Sequence, residues 1–443
     1  MVQPPSGFPE LLPAEQIVYQ KFLDTVREVY ELFGFAQIQT PAVERVGILT
    51  AKGGDEKEIY TLSRLAAGPG EKSQTDMALH FDLTVPLARY VSQHKEKLTF
   101  PFRRFQIQSV WRGERAQADR YREFVQCDID VIGRGSLDIM TDAEMPSVIY
   151  HIFRKLDIGP FVIRINNRRL LQGFFEHNGI CASDIANALR IIDKLEKIGT
   201  DSVVSELSMQ LGIKEDEARA MIDFLSTQRT TDETLDFLRS QQMGETFAEG
   251  VAELAAVVEG IRSFGVEDAY FCLDLTIARG LGYYTGTVYE TQLVDFPQVG
   301  SICSGGRYDN LTSAFSDEKM PGVGISIGVT RLVLKLIKEG VLKPDRATPA
   351  DVLVTMMDAR YRMKYLRVAE QLRSAGVNTE VYLESKRLGN QLKYANRKSV
   401  PIVLIAGEDE IAKGVFQAKD MRTGKAIDVA TKDIVATIQG MLK

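Results

Sequence analysis

The sequence predicts an α+β fold divided into several domains, and three observations lead to this prediction. The length of 443 residues corresponds to two or three domains. Runs that alternate apolar and polar residues, as β-strands do, occur on both sides of a long stretch with helical periodicity. The composition, 44% hydrophobic and 26% charged, is that of a globular protein with a large core, which argues against a disordered chain.

Changes in periodicity and composition along the sequence predict the domain boundaries. The region of about residues 168–262 is covered by stretches such as DIANALRIIDKLEKIG and FAEGVAELAAVVEGIRSFG, which have a helical period and few strand-forming residues. The region 168–262 therefore predicts a helical insertion. The parts before and after it, 1–167 and 263–338, mix helices with alternating strands, so we expect one discontinuous core. The prolines of GVLKPDRATPA predict a linker, placed at 339–350.

The last segment, 351–443, alternates strand-like and helical runs. DVLVTMMD, TEVYLE and VPIVLIAG predict strands, whereas ARYRMKYLRVAEQLRSAG and the stretch near 385–398 predict helices. This alternation predicts a small α/β domain with a mainly parallel sheet. Residues 350–443 have a net charge of +5 and the remainder −11, within a total of −6. The asymmetry suits either an anionic partner or a solvated basic face.

The cysteines and histidines are too scattered to predict a metal centre, a disulfide framework or a histidine-based hydrolase. They stand at Cys127, Cys181, Cys272 and Cys303, and at His80, His94, His151 and His177. The start, MVQPPSGFPELLP, has no basic segment followed by an apolar run, so we expect no signal peptide. No apolar run is long enough to predict a membrane span. A reducing, cytoplasmic location fits these features best.

The stretch RRFQIQSVWRGERAQADRYREF, 103–124, holds six arginines, three acids and no lysine. A guanidinium can give a phosphate or carboxylate two parallel hydrogen bonds, which lysine cannot do. The stretch therefore predicts either surface ion pairs or a site for an oxyanion. FQIQSVWR and EFVQCDIDVI both alternate, so two strands flank the loop GERAQADRYR, which is longer than a tight hairpin needs. If their polar faces coincide, one surface carries Arg112, Phe124, Gln126 and Asp130, which suits a small zwitterion beside a phosphate.

Arg112-Gly113-Glu114, followed by Arg120 and Phe124, resembles motif 2 of the class II aminoacyl-tRNA synthetases. GVGISIGVTRLVLKLI, with Arg331 near the start of its helix, resembles motif 3 of the same class. Motif 1 is the weakest resemblance, and we place it within EVYELFGFAQIQTPAVE.

Two further peptides resemble those of one family within this class, the histidyl-tRNA synthetases. The first is DLTIARGLGYYTGTVYE, 274–290, in which Arg279 precedes the pair Tyr283-Tyr284. The second is CSGGRYDNL, 303–311. Each peptide alone could be a packing strand or a turn, but their order and spacing together carry the resemblance.

The resemblance implies an antiparallel sheet core with flanking helices, a helical insertion and a C-terminal domain similar to anticodon-binding domains. The implied reaction joins L-histidine to the 3′ end of tRNA(His), with ATP as substrate, Mg²⁺ as its counter-ion and no tightly bound cofactor. The implied catalytic residues are Arg112 and Arg279, whose guanidiniums would stabilise the α-phosphate. A homodimer is expected from motif 1, and the sequence does not identify protein ligands for the metal.

The resemblance also assigns binding roles. The implied ATP-binding residues are Arg112, Glu114, Arg120, Phe124 and Arg331. The implied histidine-binding residues are Asp82, Leu83, Thr84, Arg112, Gln126, Asp130, Arg279, Tyr283 and Tyr284. In this set Asp130 and Tyr284 would bind the two imidazole nitrogens. Asp82 stands where some members have glutamate, so its reach differs.

Two alternatives remain open at this point. A non-catalytic paralogue could sense histidine as the regulatory subunit of an ATP phosphoribosyltransferase, although such paralogues tend to lose the Arg279 peptide and the final domain. A phosphate-binding structural protein would leave the Tyr283-Tyr284 context unexplained.

Overall fold

The structure is a computed structural model that describes residues 2–51, 58–66, 76–114, 120–278 and 284–443. Two compact units divide the chain. One consists of Met1–Pro9 and Phe22–Glu339, and the other of Glu10–Lys21 and Gly340–Lys443. Arg279 and Tyr283 lie outside the described residues.

In the described part of the chain, the helices are α1 (Pro13–Leu32), α2 (Val46–Leu49), α3 (Thr84–His94), α4 (Met140–Leu156), α5 (Arg168–His177), α6 (Ile185–Ile192), α7 (Leu195–Leu211), α8 (Glu215–Ser226), α9 (Thr231–Ser240), α10 (Glu245–Ser263), α11 (Val329–Lys338), α12 (Arg362–Ser374), α13 (Leu388–Arg397), α14 (Glu408–Lys413) and α15 (Ile434–Leu442). The strands are β1 (Ala36–Gln37), β2 (Val43–Arg45), β3 (Met77–Leu79), β4 (Phe102–Trp111), β5 (Glu123–Ile132), β6 (Phe161–Asn167), β7 (Phe271–Leu273), β8 (Thr287–Leu293), β9 (Cys303–Tyr308), β10 (Gly322–Gly328), β11 (Val352–Val354), β12 (Thr379–Val381), β13 (Ile402–Ile405), β14 (Val415–Asp420) and β15 (Ala426–Ala430).

An eight-stranded sheet organises the first unit, in the order β1-β4-β5-β10-β9-β8-β6-β7. Its pairings are antiparallel except the outermost two, β1 with β4 and β6 with β7. The apolar face packs against helices. The ring centre of Phe105 on β4 lies 5.6 Å from that of Tyr30 on α1. Helix α4 contacts β9 and β10. The antiparallel core that the resemblance implied is therefore confirmed, and the polar face of the sheet is left for a site.

The stretch from α5 to α10 is helical throughout, as its periodicity predicts. Helices α5 and α10 approach closely through two glycines. A Cβ on Gly173 would lie 2.3 Å from the nitrogen of Phe247, and one on Gly250 would lie 2.3 Å from the nitrogen of Leu170. These contacts leave no room for a side chain at either glycine. The boundaries 168–262 and 339–350 stay predictions.

The second unit contains a five-stranded sheet in the order β12-β11-β13-β14-β15. Strands β12, β11 and β13 are parallel, with α12 and α13 between them in sequence, as predicted. The expectation of a mainly parallel sheet is wrong for β14 and β15, which pair antiparallel. The β15 segment is mostly exposed, so it lacks the apolar run that marks a buried parallel strand. Within the described residues, no helix is long and apolar enough to span a bilayer.

Candidate active site

The polar faces of β4 and β5 coincide, as the hairpin interpretation requires. Gln108 pairs directly with Gln126, and Arg104 pairs directly with Asp130. Directly paired residues of an antiparallel ladder project to the same face. The alternating pattern of each strand therefore places one continuous polar strip on the side of the sheet away from α1.

A cavity of about 300 Å³ opens at the loop end of this strip. Its lining includes every residue that the resemblance implied for ATP binding: Arg112, Glu114, Arg120, Phe124 and Arg331. Strand β5 contributes the aromatic ring, the end of β4 contributes the first arginine, and α11 contributes the last. The geometry thus brings together five side chains that span almost half of the chain in sequence.

The arginines of the cavity are oriented by backbone carbonyls and by a ring. Arg112 donates its Nε–H to the carbonyl of Phe81 at 3.1 Å, and its guanidinium carbon lies 5.1 Å from the centre of the Phe124 ring. Arg331, in the first turn of α11, donates Nη2–H to the carbonyl of Val299 at 2.8 Å. Each hydrogen bond uses one N–H of a guanidinium that lines the cavity.

Arg120 and Glu114 form an ion pair at 3.2 Å across the mouth of the cavity. The arginine side chain is 56% exposed and the glutamate 22% exposed. Pairs exposed to this degree are worth about 0–1 kcal/mol, so a nucleotide can replace this contact without a large penalty.

The segment before α3 places a buried carboxylate beside this region. Asp82 is 3% exposed, and its Oδ1 accepts the backbone N–H of Val85 in the first turn of α3 at 3.1 Å. Its Oδ2 has no hydrogen-bond partner among the described residues. Burial raises the pKa of Asp82, and the nearby Arg112 opposes that shift. Leu83 is buried behind it and Thr84 is the first residue of the helix.

Gln126 and Asp130 extend the polar strip away from the cavity mouth. Gln126 donates Nε2–H to Ser326 Oγ at 2.8 Å. Asp130 is 4% exposed and forms an ion pair with Arg104. Burial raises the pKa of Asp130 to about 6, against the opposing effect of Arg104. The carboxyl is therefore mainly ionised, and a hydrogen-bond acceptor, at neutral pH.

Tyr284 packs in a small cluster with Ala88, Tyr308 and Phe315. It also borders a second cavity, of about 590 Å³, whose far wall includes Arg168 and residues of α6. Tyr284, in the described part of the peptide 274–290, therefore lies against the same sheet. Two predicted residues of that peptide, Arg279 and Tyr283, fall outside the described residues.

Four site residues were missed at the sequence level. They are Arg104, Asp128, Tyr308 and Ser326. Tyr308 donates its hydroxyl hydrogen to Asp130 Oδ1 at 2.8 Å. Tyr308 and Arg104 therefore both hold the carboxylate that the resemblance implies for binding the substrate histidine. The sequence pattern could have identified Arg104, because it lies on the same face of β4 as Gln106 and Gln108. Tyr308 and Ser326 come from β9 and β10, whose register with β5 no local pattern reveals.

The arginines of the arginine-rich stretch occur in two settings, which correspond to the two alternatives that the sequence left open. Arg103 forms a bidentate pair with Glu144, at 3.0 and 2.7 Å. Arg122 donates Nε–H to the carbonyl of Glu114 at 2.9 Å. Both arginines fix the hairpin itself, and Arg112 and Arg120 face the cavity.

The lining of the cavity does not suit a resident metal ion. Its acidic side chain is Glu114, already placed among arginines. Across the described ranges, no group of three or more histidine, cysteine, aspartate or glutamate side chains could hold a metal. Hard divalent cations need several oxygen ligands, so a metal here would depend on a ligand that brings its own oxygens.

Comparison with known proteins agrees with this geometry. The family model for histidyl-tRNA synthetase matches residues 7–332, and the model for an anticodon-binding domain matches residues 351–441.

Close relatives are similar over nearly their whole length. The chain is 46% identical to a histidine–tRNA ligase of Nostoc sp. over 452 aligned residues, covering 99% of this chain and 97% of the relative. It is 47% identical to that of Clostridium tetani, covering 98% and 97%. The crystal structure of histidyl-tRNA synthetase from Nostoc sp. superimposes with a TM-score of 0.92 at 45% identity, covering 99% of both chains. These matches do not favour the regulatory paralogue. The chain belongs to the histidyl-tRNA synthetase family.

Proposed function

We propose that the chain activates L-histidine with ATP and transfers the histidyl group to the 3′ end of tRNA(His). The supporting observation is the meeting of two sets of side chains on one face of the sheet. Arginines surround the cavity and suit a triphosphate, since planar guanidiniums match phosphate oxygens. Buried acceptors lie beside them at Asp82, Gln126 and Asp130 and suit an ammonium and an imidazole.

In the first step, a carboxylate oxygen of histidine attacks the α-phosphorus of ATP. The bond to pyrophosphate breaks, and histidyl-adenylate forms. The carboxylate is already ionised, so no general base is needed, and the chemistry depends on stabilising charge at the α-phosphate. Arg112 supplies one guanidinium and, by the family resemblance, Arg279 supplies another. Loss of one such donor lowers the rate on the order of a hundredfold or more.

The other cavity residues bind the nucleotide. Phe124 stacks on the adenine, and Glu114 accepts a hydrogen bond from its amino group. Arg331 binds the γ-phosphate from the start of α11, where the helix N-terminus also favours negative charge. Arg120 exchanges its exposed contact with Glu114 for a phosphate oxygen.

The acceptors on the polar strip select histidine. A neutral imidazole has one donor and one acceptor, which Asp130 and the Tyr284 hydroxyl satisfy. Asp82, Thr84, Gln126 and Tyr283 accept from the α-ammonium group, with Leu83 holding the backbone of that segment. A site built from such groups rejects analogues that leave them unpaired, often by ~10⁴-fold or more.

Mg²⁺ accompanies ATP as its counter-ion and keeps several of its water ligands. The phosphate oxygens of the nucleotide bring the ligands that the cavity lining lacks. No residue of this chain is assigned to the metal.

The basic segment 351–443 binds the anticodon stem and loop, as its match to an anticodon-binding domain supports. In the second step, a ribose hydroxyl of the terminal adenosine attacks the histidyl carbonyl and AMP leaves. We also propose that the core, 1–167 and 263–338, carries the chemistry, with 168–262 as an insertion. The motif 1 resemblance near Pro41 supports a homodimer. Four free cysteines suit a reducing cytoplasm.

Aminoacylation tests this function directly. Purified protein should attach labelled histidine to a tRNA(His) transcript and not to a transcript with another identity. The Arg112→Ala variant should lose most of this activity while the surface variant Arg154→Ala keeps it. A wild-type protein that binds histidine and ATP but charges no tRNA would contradict the proposal.

A further inference from the structure

Asp128 lies on the polar face of β5, between Gln126 and Asp130, yet neither the family resemblance nor the proposed mechanism uses it. Its side chain is 3% exposed. Its Oδ1 has no hydrogen-bond partner among the described residues. Burial of an ionised carboxylate is unfavourable unless the charge is paired or hydrogen-bonded, so its presence points to a role for the charge itself.

The groups that interact with the charge of Asp128 come from its own strand and from several neighbouring segments. Arg104 of β4 and Ser326 of β10 lower its pKa, whereas Asp130 and Asp82 raise it. Burial is the largest effect and raises the pKa to about 7. Burial raises the pKa of Cys303 on β9 and that of Tyr30 on α1, and the charge of Asp128 adds to both shifts. Above neutral pH the carboxylate is therefore ionised and can only accept hydrogen bonds.

A short relay leads from Asp128 to Gln126. Ser326 is the direct partner of Asp128 in the register of β5 and β10, so both side chains lie on one face of the sheet, and the Ser326 hydroxyl lowers the pKa of Asp128. An ionised carboxylate can only accept, so it favours the orientation in which the hydroxyl hydrogen points towards it. A hydroxyl has one hydrogen, so the Ser326 oxygen can only accept from other groups. It accepts from Gln126 Nε2 at 2.8 Å. The chemistry thus fixes the orientation of the Gln126 amide, with Nε2 towards Ser326 and Oε1 away from it.

Two buried oxygens of the site, one of them on Gln126, could accept hydrogen bonds from a substrate. Gln126 Oε1 and Asp82 Oδ2 both lack a hydrogen-bond partner among the described residues. An α-ammonium group offers three N–H donors and needs acceptors of this kind. A flipped Gln126 amide would instead present its N–H groups to the ammonium, donor against donor.

We propose that Asp128 is a positioning residue for amino-acid recognition, which acts through Ser326 to hold Gln126 Oε1 towards the α-ammonium of histidine. This inference rests on the proposed function and deepens it. Asp128 touches no reacting atom. Its role is to exclude the wrong amide orientation, and so to favour substrates that carry an α-ammonium.

Histidine-dependent ATP–pyrophosphate exchange measures the effect. Asp128→Asn keeps the size of the side chain but can donate to Ser326, and Ser326→Ala removes the relay from its middle. Each should raise the KM for histidine by roughly 10- to 100-fold, the range for a hydrogen bond to a charged group, and leave the KM for ATP nearly unchanged. The double variant should be no worse than the worse single variant, because both break one relay. Ser326→Thr, which keeps the hydroxyl, is the conservative variant and should restore most of the histidine affinity that Ser326→Ala loses.

Imidazolepropionate, which is histidine without its α-ammonium, separates positioning from general damage. Its inhibition constant should be the same in wild type and Asp128→Asn. Equal weakening of histidine, ATP and imidazolepropionate, an unchanged KM for histidine, or additive effects in the double variant would overturn the inference. If Asp128→Asn does not fold, Ser326→Ala decides alone. A wild type without histidine-dependent exchange would instead refute the proposed function.

Discussion

The buried Asp128 should make the ligand-free protein less stable as pH rises, and Asp128→Asn should remove this effect. The pKa of Asp128 is about 7 in the folded chain and about 3.9 in an unfolded one. Between these values the folded state keeps a proton that the unfolded state releases, so stability is lost as pH rises through the folded pKa. Well above pH 7, the free energy of unfolding is lower by about 4 kcal/mol than at a pH below both pKa values. About 3 kcal/mol of this loss falls between pH 5 and pH 8.

Urea denaturation of the ligand-free protein at pH 5 and pH 8 tests this prediction. The single tryptophan, Trp111 at the end of β4, reports on the unit that contains the site. Asp128→Asn should gain about 3 kcal/mol more over wild type at pH 8 than at pH 5. Asp317→Asn, which removes an exposed carboxylate, is the control and should show no such difference. An equal change at both pH values would refute the linkage argument.

Three further predictions follow from the site and the fold. Arg112→Ala should lower the rate of histidine-dependent exchange on the order of a hundredfold with an unchanged fold by circular dichroism, and a rate near wild type would contradict the role of its guanidinium. Tyr308→Phe removes a hydrogen bond to the Asp130 carboxylate, so the histidine KM should rise roughly 10- to 100-fold, whereas an ATP KM that rises equally would count against the assignment. Gly250→Ala should lower the free energy of unfolding by about 1–3 kcal/mol or more, since its Cβ would lie 2.3 Å from a backbone nitrogen of α5, and a neutral effect would show that the helices can separate.

Local pattern was enough to predict the hairpin because each of its strands has one apolar and one polar face. The alternation in FQIQSVWR and EFVQCDIDVI defines β4 and β5, and the polar face then collects the residues of the strip. The helical stretch from 168 to 262 was equally readable, because the helix period repeats over many turns. The α12 and α13 helices of the second unit were predicted for the same reason.

Long-range register was beyond the sequence. Tyr308 reaches Asp130 across β10, and Ser326 meets Asp128, only because β9, β10 and β5 are paired neighbours. Arginine content also could not separate ion pairs from ligand contacts, since Arg103 and Arg122 hold the hairpin through groups that lie far away in the sequence. Residue type indicated which side chains could bind a phosphate. Packing decided which of them face the cavity.

The central claim is that this face of the sheet selects histidine for adenylation. Amino-acid-dependent ATP–pyrophosphate exchange, run without tRNA and with each of the twenty amino acids, tests it most directly. The account predicts exchange with histidine alone. Exchange with another amino acid would contradict the roles given to Asp130 and Tyr284, and binding of histidine without any exchange would contradict the assignment of an adenylating site.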